Sequence, residues 1–205
     1  MDPSQSMHAY EKLPLFHTGI ALGLWLVALH LVMLVKGPEV QRFLRRFPRN
    51  DRLGQIILGV GLIWFWLIVA QPGPGLLNSL AMDLGDQFNA LKPILKIAVP
   101  VSIVLVSLAV KEFLAVRALG LLGLMVAAPL LESAFQKDPT SRLLVPIFAY
   151  ILIVKSLYWV GMPYLFRDAV TWATASDSRW RLLSLGGLAY GAATLACAFL
   201  FWRGY

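Results

Sequence analysis

Four ionisable side chains fall within long apolar stretches of this chain: His30, Lys96, Glu132 and Lys155. A charge at the centre of a bilayer costs about 2.5 kcal/mol or more on insertion scales, so such a group is kept for a partner or a task. Lys96 and Glu132 fall near the same end of consecutive apolar segments. The expectation is an ion pair, which either forms a gate or proton site or simply neutralises two costly charges. Lys155 lies deeper, with Ser156 and Tyr158 close behind it. Its ammonium can snorkel to the nearer rim or meet Glu112 or Asp168 there. His30 occupies the matching depth in the first apolar segment. Together His30, Lys155, Ser156 and Tyr158 are the candidate lining of a polar pocket, with Lys96 and Glu132 at its outer mouth. That chemistry would move or bind a small solute. The plainer reading of His30 alone is a hydrogen-bonded histidine within a helix contact.

The segments that must position these groups are membrane helices. Hydrophobic residues make up 59% of the 205 residues and charged residues 14%; mean hydropathy is +0.71. Those values lie outside the range of soluble domains. A spanning helix needs about 20 mostly apolar residues. The sequence predicts six spans, at roughly 17–35, 54–71, 93–110, 115–134, 143–161 and 182–202. The expected fold is all-α: a polytopic membrane protein whose six helices form three hairpins, about 17–71, 93–134 and 143–202, joined by short interfacial helices. Residues 1–205 then form a single membrane domain, because no connection reaches the ~50 residues of a folded soluble domain. No basic leader or small-residue cleavage site precedes the first span, so no cleaved signal peptide is expected.

The net charge of +7 is unevenly placed. Lys36, Arg42, Arg45, Arg46, Arg49 and Arg52 lie between the first two spans, Lys111 and Arg117 between the third and fourth, and Arg167, Arg179 and Arg181 between the fifth and sixth. By the positive-inside rule these links face the cytoplasm of an inner (cytoplasmic) membrane and both termini face outward. Within the first link Val40, Phe43, Leu44 and Phe47 recur at helical spacing among arginines. Such a segment lies in the headgroup plane. Arg42, Arg45, Arg46, Arg49 and Arg167 are therefore the candidate contacts to anionic lipid headgroups, or else plain topology anchors. Nucleic acid is not required to explain the charge.

One common shift along the chain places His30 on Lys155, Val35 on Val160, Pro38 on Pro163 and Arg42 on Arg167. With two more residues in the second link, Arg52 falls on Arg179 and Gly59 on Gly186. The pattern suggests an internal repeat of the parallel kind found in transporters. On the outer side Pro72-Gly73-Pro74-Gly75 ends the second span. Leu77, Leu80, Leu84, Phe88 and Leu91 then suggest an interfacial helix with Asp83 and Asp86 on its other face. Trp64, Trp66, Trp159, Trp202 and Tyr205 read as belt anchors. Gly19 with Gly23, Gly120 with Gly123, and Gly187 with Gly191 put small residues on helix faces, which favours close packing within a bundle or between copies.

Signatures of bond-making chemistry are missing from the sequence. Cys197 is the single cysteine, and only His30 of three histidines lies deep in a span, which argues against a disulfide, a thiolate metal site or bis-histidine haem. No HExxH run or phosphate loop is present. Glu39, Asp51, Glu112, Asp168 and Asp177 stand singly among arginines, and an arginine-paired carboxylate is a poor general base. The expectation is a non-enzymatic, cofactor-free subunit or scaffold that assembles with itself or with another membrane protein. The alternatives are a small-solute transporter or channel with a polar site between spans one and five and, more weakly supported, a lipid-processing enzyme at the basic rim.

Overall fold

A computed structural model describes residues 8–69, 81–83, 85–109 and 112–205. Long helices dominate: α1 (Leu15–Val35), α3 (Asp51–Val69), α5 (Lys92–Ala109), α6 (Leu114–Ala134), α7 (Leu144–Gly161) and α9 (Asp177–Phe201). Shorter ones connect them: α2 (Gly37–Arg46), the four-residue α4 (Asp86–Asn89) and α8 (Tyr164–Ala173), with 3-10 turns at Phe47–Arg49 and Thr140–Leu143. No strand occurs among the described residues. Five of the long helices, α1, α3, α6, α7 and α9, are long and apolar enough to cross a membrane. α5 covers the expected third span as an 18-residue helix with Pro100 inside it, but it is not among those five. The first predicted interfacial helix is present as α2. Most of the predicted outer one, including the Pro72-Gly73-Pro74-Gly75 break, lies outside the described residues.

Helix pairing departs from the expected hairpins. The main packing partners are α1 with α9, α6 with α7, α3 with α6, and α3 with α5. The two spans of each expected hairpin are not principal partners of one another. Small residues explain the choice, since packing between membrane helices depends on close backbone approach rather than on nearness in sequence. On α1 and α9, a Cβ added at Gly19 would strike the Trp202 indole, one at Gly23 would lie 2.6 Å from Leu195 Cγ, and one at Gly191 2.8 Å from Leu26 Cβ. On α3, a Cβ at Gly54 would fall 2.7 Å from the Ala115 backbone nitrogen of α6. On α6, Gly120 and Gly123 admit Ser156 and Val160 of α7. The sequence's glycine pairs therefore build contacts within one chain. Leu22, Leu26, Leu130, Val145, Ala149 and Trp202 then knit the α1–α9 and α6–α7 pairs into one buried cluster.

The two ends of the bundle differ. At one end the Phe16 amide donates to the Tyr205 carbonyl oxygen at 3.2 Å, and the Trp202 indole donates to Ser141 Oγ at 2.9 Å. The expected anchor Trp202 is instead fully buried, because Gly19 leaves room for its ring. At the opposite end lie α2, α8 and the basic links. Here side chains complete helix termini whose last carbonyls lack intrahelical donors. Trp180 Nε1 donates to Met33 O at 2.9 Å, at the end of α1. Arg117 Nη1 donates to Val160 O at 2.9 Å, at the end of α7. Arg45 donates to Thr174 O at 3.3 Å, at the end of α8.

Candidate functional site

The residues proposed for a polar pocket are dispersed by the fold. His30 points from α1 onto Gly187 of α9, where any Cβ would collide with its ring. Its Nδ1 lies 2.7 Å from the Leu26 carbonyl oxygen. A carbonyl only accepts, so Nδ1 carries a proton and donates it. Ser156 is fully buried on the opposite contact, with its hydroxyl packed onto Gly123 of α6. Lys155 and Tyr158, on the same helix, are exposed on its outer side. Neighbouring helical residues point about 100° apart, so Lys155 and Ser156 cannot line one wall. The His30–Lys155 pocket does not form among the described residues, and the two positions matched in the sequence have unlike environments.

The expected Lys96–Glu132 pair does not form either. Lys96 is exposed on α5 and Glu132 half-buried on α6, two helices that are not principal partners. Among the described residues the one ion pair joins Arg167 to Asp168, exposed and at 3.0 Å. Lys96 contributes a backbone contact instead, its carbonyl oxygen accepting from Trp66 Nε1 at 3.0 Å.

The arginines of the basic rim do converge, though as a different set from the five expected. Arg45, Arg46 and Arg49 line an open cleft of about 520 Å3 with Asn50, Asp51 and Arg52. Arg42 turns back on its own helix, donating to Pro38 O at 3.3 Å, and Arg167 is occupied by Asp168. Local structure explains the convergence. The apolar face of α2 ends in Phe47, which is buried against Phe166 of α8 with ring centroids 5.6 Å apart. Pro48 is buried beside it, so the 3-10 turn folds tightly and delivers the chain into α3. Asn50 Oδ1 then accepts from the Leu53 amide at 3.1 Å, an N-cap on α3. Arg45 is pinned to Thr174 through Oγ1 at 2.8 and 3.2 Å, which ties α2 to α8.

Sequence reasoning missed Arg45's clamp, the place of Asn50 and Arg52 in the cleft, and Arg117. The last is half-buried, with Nη1 on Val160 O and a Nε that meets no acceptor among the described residues. Its spacing to Gly120 and Gly123 along one face of α6 was the available signal. At the other end Tyr10 is buried against Trp64, whose Nε1 donates to its hydroxyl at 2.7 Å. Burial pushes the Tyr10 phenol up from its ordinary value, and the Trp64 bond opposes part of that shift. Asp83 accepts from Asn89 Nδ2 at 2.7 Å and the Gly85 amide at 3.0 Å. Those bonds hold its carboxyl below the usual range. Among the described residues no group of three His, Cys, Asp or Glu has metal-ligating geometry.

Compared with protein families, curated proteins and solved structures, the chain shows no significant match.

Proposed function

We propose that this chain is a non-enzymatic subunit or scaffold of a membrane assembly, held in the inner (cytoplasmic) membrane by six spans, with α5 as the sixth and both termini on the outer side. The observation that carries the reading is how the polar groups of the spans are used. His30 packs on Gly187, Ser156 on Gly123, and Arg117 caps α7. Each faces a helix contact rather than a common path, although Ser156 Oγ and Arg117 Nε find no hydrogen-bond partner among the described residues. Basic residues gathered at the α2–α8 end support the orientation, since cationic links stay on the cytoplasmic side. α5 packs mainly on α3 and leaves Ile94, Ile97, Val101 and Leu105 exposed, which suits contact with lipid or with a helix of a partner. In this reading the α1–α9 pair closes the bundle, and hairpins α3–α5 and α6–α7 are joined on the outer side. The ten-residue helices α2 and α8 support a repeated plan in the two links.

The test is to delete the protein and compare the membrane proteome with and without it. A subunit takes its partner with it, so at least one other membrane protein falls in abundance and returns on complementation. An unchanged membrane proteome refutes a different protein as partner and leaves self-assembly, which a monomeric purified chain would refute in turn.

A further inference from the structure

The cleft at the start of α3 combines three features that stand independently of any protein partner. Arg46, Arg49 and Arg52 are exposed and form no hydrogen bond or ion pair with the described chain, whereas Arg45 is committed to Thr174. The backbone amides of Asp51 and Arg52 open a 19-residue helix, and no acceptor within the described chain takes them, because Asn50 Oδ1 caps Leu53 instead. The turn beside the cleft is also anchored. Phe47 and Pro48 are buried there, while Phe43 on the same amphipathic helix is exposed.

We propose that this cleft binds a phosphate group, held by the guanidinium groups of Arg46, Arg49 and Arg52 and by the free amides at the start of α3. Helix N-termini favour anions through aligned amides and the helix dipole. Planar guanidinium groups match phosphate oxygens with paired hydrogen bonds. Arg49 and Asp51 also border a second depression of about 390 Å3 with Glu112 and Phe113. Carboxylates repel phosphate, and the second depression sets two of them against one arginine, whereas the cleft sets Asp51 alone against four, so the anion belongs in the cleft. Two sources carry the group: the headgroup of an anionic phospholipid, or a phosphate compound from solution.

The experiment uses the full chain in mild detergent with equal amounts of phosphatidylglycerol and phosphatidylcholine, read by native mass spectrometry. Retention of phosphatidylglycerol over phosphatidylcholine is expected. R46Q/R49Q/R52Q lowers that retention roughly tenfold or more, given the attraction of each basic residue to an anionic surface. The charge-matched control R42Q/R167Q/R181Q changes it less than about twofold, because its residues lie outside the cleft. Arg49→Gln alone shifts retention in the same direction and serves if the triple variant folds poorly. A second arm adds inorganic phosphate alone at millimolar concentration. Displacement of the lipid, with the same dependence on Arg46, Arg49 and Arg52, supports the site and names solution phosphate as a source. Retention without displacement supports it and names the lipid. Equal losses in both triple variants, or no binding of either probe above phosphatidylcholine, overturn the proposal.

Discussion

The imidazole of His30 lies directly on Gly187, one ring against one missing side chain, and that contact joins the first long helix to the last. The Leu26 carbonyl oxygen fixes the ring from behind. An alanine at 187 therefore meets a ring that cannot retreat without breaking its hydrogen bond. Overpacking of this kind costs about 1–3 kcal/mol. Gly187→Ala should lower the melting temperature in detergent by roughly 2–4 °C per kcal/mol. His30→Ala in the same chain should restore part of the loss, since contacting residues couple. Strictly additive effects would show that the two do not touch.

Two glycines of one helix should respond oppositely. At Gly54 the added Cβ meets backbone of α6, which cannot step aside; at Gly59 it meets nothing within 4 Å. Gly54→Ala should destabilise by about 1–3 kcal/mol, whereas Gly59→Ala should be neutral or stabilise by up to about 1 kcal/mol. Thermal unfolding of the two variants decides this, and a matching loss at Gly59 would contradict the α3–α6 interface.

Arg45→Ala removes the clamp on Thr174 and leaves the Thr174 carbonyl oxygen without its guanidinium donor. The site is exposed, so global stability should fall by no more than about 1 kcal/mol. The local effect is larger. Amide exchange should accelerate over residues 171–175 and stay unchanged in the middle of α9. Unaltered exchange at 171–175 would mean that the clamp holds nothing.

Tyr10 provides a pH dependence of definite sign. Its phenol is raised in the folded chain, so the neutral form is the one favoured by docking. The contribution is complete below the ordinary tyrosine value of 10.0 and is lost as pH rises through the higher folded value. Trp64 fluorescence should therefore change above about pH 10. Tyr10→Phe should abolish that change. Persistence of the transition in Tyr10→Phe would assign it elsewhere.

Much of the fold was legible because span length and glycine placement are local properties. The expected first span ends at Val35 as the helix does, and Gly19, Gly23, Gly187 and Gly191 were already visible as close-packing positions. Partner choice was not legible. It depends on which bulky group fills which gap, Trp202 over Gly19 or His30 over Gly187, and those residues are far apart in sequence. The repeat pattern read in the sequence misdirected the site. It matches His30 to Lys155 in depth along a span and says nothing about the face presented, and the adjacency of Lys155 and Ser156 already required them to diverge. The basic rim was legible as charge, but its cleft depended on a turn at Pro48 and a cap at Asn50.

The most direct test of a subunit role is purification of the tagged full chain in mild detergent or nanodiscs, followed by native mass spectrometry of what stays attached. The account predicts a stoichiometric protein companion, either another membrane protein or further copies of this chain. A lone monomer that carries solute flux in proteoliposomes, with the flux lost in His30→Ala and Lys155→Ala, would contradict it.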